Sequence, residues 1–222
     1  MKFKAIIFDM DGTIIDTEKI WREATHHVIT SKGVTLDLAT EQQLAQELRG
    51  VALHKSCAVI KEMFSLAHEV EDLVKEKRDK ANELYAIHVK FIAGFVEFHQ
   101  KIKTANLLHG VATNAADDNI ETTINKLKLR DYFGEHIYGI SHVNNVGKPA
   151  PDIYLHVAKQ LGIDPKDCVA IEDTSHGIEA AQRAGMFCIG INSAGSREAL
   201  VKAQFIIDHY DEIDLPRLLK KK

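Results

Sequence analysis

One β-prone run stands apart from all the others in this sequence. Behind Lys4, Ala5-Ile6-Ile7-Phe8 is apolar, and no plausible strand follows between Asp16 and about Lys90. The block between carries helical periodicity only. Thr17 heads a stripe of Ile20, Ala24 and Val28 that runs to Gly33. Thr40 and Gln43 have capping-box spacing before Leu44 and Leu48. Val59, Ile60, Met63 and Phe64 stripe a third helix, and Val70 to His88 a long fourth. From Gly94 onward helices alternate with short apolar strands at Leu107–Ala112, His136–Ile140, Cys168–Ile171, Phe187–Ile191 and Phe205–Ile207. Such alternation predicts an α/β fold, with a parallel sheet covered on both faces. The simplest topology puts the isolated first strand inside that later sheet and makes the helical block an insertion.

Composition narrows the function classes. The chain has 222 residues, a net charge of −4 and a pI near 6.3. It has no basic footprint for nucleic acid or an anionic membrane, so neither is an expected partner. The apolar stretch at the start, Ala5 to Phe8, is too short for a signal peptide, and no run approaches the roughly 18 apolar residues of a membrane span. Cys57, Cys168 and Cys188 are odd in number without CxxC spacing. They read as buried thiols in a reducing compartment. A cytoplasmic monomer is the expectation.

Polar residues gather where strands end. Asp9 and Asp11 follow the first strand two residues apart, in Asp9-Met10-Asp11-Gly12-Thr13. Thr113-Asn114 follows the second, and a hydroxyl with backbone N–H groups there suits phosphate oxygens. Lys148 lies between Gly147 and Pro149, in a loop that Pro149 and Pro151 stiffen just before a helix. Glu172-Asp173 closes a further strand. One carboxylate able to attack, a second able to handle a proton, a lysine and an acidic pair make an oxygen-rich site for a hard divalent cation.

These residues resemble the haloacid dehalogenase superfamily, in the branch holding phosphoglycolate phosphatase, sugar-phosphate phosphatases and β-phosphoglucomutase. The resemblance rests on DMDGT at 9–13, VATN at 111–114, GKPAPDIY at 147–154 and IEDTSHGIEAAQRAG at 171–185. It implies a Rossmann-like core from residues 1–15 and 94–222 and a helical cap over 16–93. It implies Asp9 as nucleophile, Asp11 as general acid/base, and Thr113, Asn114 and Lys148 as phosphate binders. Asp9, the main-chain carbonyl of Asp11, and Asp173 would hold Mg2+, with Glu172 supporting them. Leu48-Arg49-Gly50 resembles a cap segment that meets substrate, which makes Arg49 a candidate contact. The implied activity is hydrolysis of a small phosphorylated metabolite through an aspartyl-phosphate. A phosphosugar mutase is the runner-up. It is disfavoured because Trp21 stands near where mutase-type sequences commonly carry a His. A dehalogenase would need neither Asp11 nor Asp173. A non-enzymatic receiver domain would place its acidic pair first and carry no helical insert.

Overall fold

The computed structural model describes residues 3–48, 51, 53–193, 195 and 197–219. The chain divides into two compact units, Met1–Asp16 with Lys90–Lys222, and Thr17–Val89. The first unit carries β1 (Ala5–Phe8), β2 (Ile15–Asp16), β3 (Lys90–Phe91), β4 (Leu108–Ala112), β5 (Ile137–Tyr138), β6 (Cys168–Glu172), β7 (Phe187–Ile191) and β8 (Phe205–Ile207). Six of them form one parallel sheet in the order β5-β4-β1-β6-β7-β8. The chain winds outward from β1 to β5 and then returns to β1's other side at β6. That reversal is where α/β sheets open a crevice at their carboxyl ends. In register, Phe8 lies opposite both Val111 and Ile171, so the residues following β1, β4 and β6 emerge side by side.

The strand β1 is buried along its whole length. An all-apolar segment suits that place, because both faces of a central parallel strand are covered. Each fully buried Ile there contributes roughly 1.5–3 kcal/mol of transfer free energy.

The Thr17–Val89 unit consists of α1 (Glu18–Thr30), α2 (Leu38–Glu47), α3 (Leu53–Met63) and α4 (Val70–His88). Its core joins Val28, Ile29, Leu44, Cys57, Ile60 and Leu73. The expected cap at Thr40 is corrected. The helix α2 begins three residues earlier, where Asp37 accepts the Thr40 N–H at 2.8 Å. A carboxylate at the position before the first turn satisfies an orphan donor and favours the helix dipole. This unit also buries Lys77, whose Nζ donates to Ser56 Oγ at 3.0 Å. Arg49, the candidate substrate contact, lies outside the described residues.

Two further expectations need correction. Residues 16 and 90–93, assigned to the helical block, belong with the sheet-bearing unit. Antiparallel pairing decides it: Ile15 sits opposite Phe91, Asp16 opposite Lys90, and Ile92 N–H donates to the Ile14 carbonyl at 2.9 Å. An Asp16–Lys90 ion pair at 3.2 Å and stacking of Phe91 on Phe95 at 5.1 Å add to it. The strand expected over His136–Ile140 is only β5. Its neighbour β4 ends at Ala112 opposite Tyr138, and Gly139 then accepts the His142 N–H as the chain turns into a short 3-10 helix.

The sheet is flanked by α5 (Phe95–Thr104), α6 (Asp117–Leu127), α7 (Arg130–Phe133), α8 (Asp152–Leu161), α9 (Ser175–Arg183) and α10 (Leu215–Leu219). One core joins Ile7, Tyr154, Val157, Cys168, Ala170, Ile178 and Cys188. Around Phe8 an aromatic group forms from Phe95, Phe98, Phe133 and Tyr210. The three cysteines are buried and free. Among the described residues no helix is long and apolar enough to cross a membrane.

Candidate active site

Main-chain bonding folds the segment after β1 into a tight loop. Asp9 N–H donates to the Ile171 carbonyl at 2.9 Å, and the Met10 carbonyl collects N–H groups from Thr13, Ile14 and Ile15. From the C-terminal segment, Tyr210 donates its hydroxyl to the Thr13 carbonyl at 2.9 Å. Gly12 has φ +80°, and a Cβ there would lie 2.0 Å from Asp173 Oδ2. Glycine is therefore required twice over, for the left-handed backbone and for the close approach of the loop to Asp173. Asp11 is half-buried in this loop.

Lys148 reaches the same point from the loop before α8. Its Nζ donates to Asp9 Oδ1 at 2.5 Å, to Glu172 Oε1 at 2.6 Å and to the Ala112 carbonyl at 2.8 Å. An ammonium has three donors, so these bonds occupy all of them. The loop itself is tied at Lys148 N–H, which donates to Asn114 Oδ1 at 3.0 Å, and at the Pro149 carbonyl, which accepts from Arg183 at 3.1 Å. The oxygen of Asn114 is thus engaged by Lys148's backbone N–H. Thr113 is buried, and its Oγ1 accepts the Ala115 N–H at 2.9 Å.

Glu172 is a hub. Oε1 accepts from Lys148 and from Tyr154 Oη at 2.8 Å, and Oε2 from Asp173 N, Thr174 N and Thr174 Oγ1 at 3.1–3.3 Å. The first turn of α9 closes over it so tightly that a Cβ on Gly177 would fall 1.8 Å from Oε1. With its oxygens engaged in this way, Glu172 suits a supporting place rather than that of a ligand.

Carboxylate oxygens of Asp9, Glu172 and Asp173 can come within 4.8 Å of one another. Burial raises the Asp9 carboxyl to about 8, against the pull of Lys148 and with Glu172 and Asp11 adding to the rise. Burial, Asp9 and Glu172 hold Asp173 well above the ordinary carboxylate range. For Lys148 burial acts to lower the value, but the Asp9 and Glu172 carboxylates outweigh it and the ammonium is held charged. Two buried acids, Asp9 and Glu172, and the half-buried Asp173 therefore share one cation, which leaves two negative charges uncompensated when all ionise. Asp173 Oδ1 is also buried with no hydrogen-bond partner. An orphaned carboxylate oxygen beside excess negative charge is the donor set of a hard divalent cation. The residues fit that group.

A family model described as haloacid dehalogenase-like hydrolase matches residues 6–191, which takes in every strand-end loop of this site. The chain belongs to the haloacid dehalogenase-like hydrolases. It is 29% identical to a phosphorylated carbohydrates phosphatase of Thermotoga maritima, over 90% of this chain and 91% of that protein. It is 27% identical to a β-phosphoglucomutase of Bacillus subtilis, covering 97% and 93%. A haloacid dehalogenase family hydrolase of Deinococcus radiodurans, solved with bound phosphate and sodium, superposes with a TM-score of 0.78 at 26% identity, covering 95% and 93%.

Within this family member the structure brings together Asp9, Lys148, Glu172 and Asp173, with Thr113 and Asn114 on the adjoining loop. Two contributors escaped the sequence reading. Tyr154 closes the 147–154 run, which assigns it no role of its own; the available signal was its hydroxyl, since a fully buried tyrosine needs a partner. Tyr210 belongs to the C-terminal segment, far along the chain from the loop it ties, and carried no local signal.

Proposed function

We propose that this enzyme is a Mg2+-dependent phosphatase acting on a small phosphorylated metabolite of the sugar-phosphate class. The reading is carried by one observation: a buried carboxylate, Asp9, held by a charged lysine beside an under-compensated acidic pair. The phosphatase named among its relatives supports the substrate class.

In this reading Asp9 attacks phosphorus. A P–O(Asp9) bond forms, the bond to the leaving oxygen breaks, and Asp11 supplies that oxygen with a proton. Water then attacks the phosphorus of the aspartyl-phosphate. Its proton goes to Asp11, the acyl-phosphate bond breaks, and Asp9 and inorganic phosphate are released. Lys148 exchanges its bond to Asp9 for one to a phosphoryl oxygen, so the spread charge of the transition state meets a fixed ammonium. Thr113, the Asn114 amide and loop N–H groups bind the remaining oxygens. Asp9, Asp173 and the Asp11 carbonyl would hold Mg2+, which supplies charge neutralisation between nucleophile and phosphate. We assign substrate selection to the Thr17–Val89 helical unit, with Arg49 as a candidate contact.

The test is phosphate release from a panel of small phosphomonoesters. Release that requires Mg2+ and stops with excess EDTA is expected; full activity in EDTA would refute the metal dependence. Incubation with β-glucose 1-phosphate and a trace of the 1,6-bisphosphate separates the runner-up. Glucose 6-phosphate appearing without matching phosphate release would make the enzyme a mutase.

A further inference from the structure

Tyr154 is fully buried in the first turn of α8, six residues beyond Lys148. Its side chain meets the site in two ways. The hydroxyl donates to Glu172 Oε1 at 2.8 Å, the same oxygen that Lys148 Nζ holds at 2.6 Å. The ring centroid lies 5.0 Å from that Nζ, within cation–π range. Asp9 and Cys188 are further titratable side chains acting on Tyr154; burial and Glu172 hold the Cys188 thiol above the ordinary range, so it stays neutral.

This arrangement has a consequence for Lys148. Its three donors are occupied, and engaging a phosphoryl group requires releasing one of them. A Glu172 oxygen that accepted from Lys148 alone would bind that ammonium as a full, unshared ion pair. With a second donor on the same oxygen, the carboxylate charge is partly satisfied by Tyr154. The ring meanwhile offers Lys148 Nζ a soft electrostatic seat that asks for no hydrogen. A phenylalanine would keep the seat and lose the shared bond.

We propose that Tyr154 is a positioning residue for the phosphoryl-transfer step: by donating to Glu172 Oε1 it fixes that carboxylate and keeps Lys148 aimed at Asp9 and free to move onto the phosphoryl group. The proposal rests on the phosphatase reading above. Tyr154 touches no substrate, so its effect appears in turnover rather than in substrate binding.

The experiment compares Tyr154→Phe, Glu172→Gln and the double variant by steady-state kinetics with Mg2+. Tyr154→Phe is expected to lower kcat about tenfold with KM changed less than about twofold. In the Glu172→Gln background the same substitution should change kcat less than about twofold, because its route of action is gone. An unchanged kcat in Tyr154→Phe, or a full tenfold loss added to that of Glu172→Gln, would overturn the proposal. So would a loss carried by KM. Proton NMR of the metal-free protein gives a readout independent of activity. A slowly exchanging Tyr154 hydroxyl signal that moves upfield in Glu172→Gln is expected, and one that does not respond to Glu172 would refute the coupling. A wild-type protein inactive on all phosphomonoesters would sink the phosphatase reading instead, and would show in the parent enzyme alone.

Discussion

Each of the two units buries a lysine, and the two lysines are kept in opposite ways. Lys148 in the sheet-bearing unit has two carboxylates on its ammonium, which more than offset the cost of burial. Lys77 in the helical unit has Ser56 Oγ as its hydrogen-bond partner, and burial lowers it to about 8 with the neighbouring Cys57 only partly opposing. Burial at similar depth thus produces a fixed cation in one place and a readily discharged amine in the other. What decides is the charge supplied by the neighbours. The strand ends can supply it because three loops converge there at the sheet's reversal point. A helical bundle offers only side chains that project from its own apolar faces.

Replacing Lys148 should produce the largest effect. Lys148→Met leaves Asp9, Glu172 and Asp173 without their cation. Breaking a buried pair on one side costs about 3–5 kcal/mol. Denaturant unfolding of the metal-free variant measures it, and kcat should fall at least about a hundredfold in the same variant. A stability loss below about 1 kcal/mol would mean that the Lys148 ammonium is not held by a buried carboxylate in the native protein.

Lys77→Met should act with the opposite sign. Below about pH 8 the folded and unfolded states are both protonated at Lys77, and the full cost of burying the charge is carried. Between about 8 and 10.5 the unfolded chain keeps a proton that the folded one has released, so wild-type stability rises with pH through that window. The substitution should stabilise the protein at pH 7 by about 1–3 kcal/mol and remove the alkaline rise. Destabilisation at pH 7 would show that Lys77 is compensated by a charge after all.

Metal binding sharpens the other half of the comparison. Burial raises Asp9 to about 8 in the metal-free fold, from 3.8 in the open chain, so between those values the folded state holds a proton the unfolded chain has lost. Metal-free stability therefore falls as pH rises through that window, and Mg2+ must displace the proton. The rise in Tm caused by a fixed Mg2+ concentration should be larger at pH 8 than at pH 6. An equal rise at both pH values would place the cation away from Asp9.

The smallest effect is assigned to His99, buried beside His109 at a ring separation of 4.7 Å. Burial, and then the charge of His109 and Lys103, lower it to about 4. From pH 6.5 down to 4 the unfolded chain takes a proton that the folded one refuses, so stability falls with acidification. His99→Leu should flatten that acid arm by about 1–2 kcal/mol in pH-dependent unfolding; an unchanged arm would move the cause to another residue.

Much of the sheet-bearing unit was legible because its signals are local. Apolar runs mark strands, and Asp9, Thr113 and Glu172-Asp173 stand at or directly behind their ends, while Lys148 stood out by the prolines around it, Pro149 and Pro151. Contacts between distant segments were not legible. Pairing of Ile15-Asp16 with Lys90-Phe91 moved a boundary, and the end of β4 shortened β5. Lys77 sits on an apolar stripe and Tyr154 beside one, and periodicity records that a position is buried without recording its polar partner. Thr40 with Gln43 has capping-box spacing, but in the fold the Asp37 carboxylate takes the Thr40 N–H and Thr40 lies inside α2.

The central claim is that Asp9 carries the phosphoryl group. Acid quenching during turnover of a 32P-labelled sugar phosphate, borohydride reduction of the acyl-phosphate and peptide mapping test it directly. The account predicts that the trapped adduct maps to Asp9 and is absent from Asp9→Asn, which should keep its fold and less than about a hundredth of wild-type turnover. An adduct at another residue, or rapid turnover by Asp9→Asn, would contradict it.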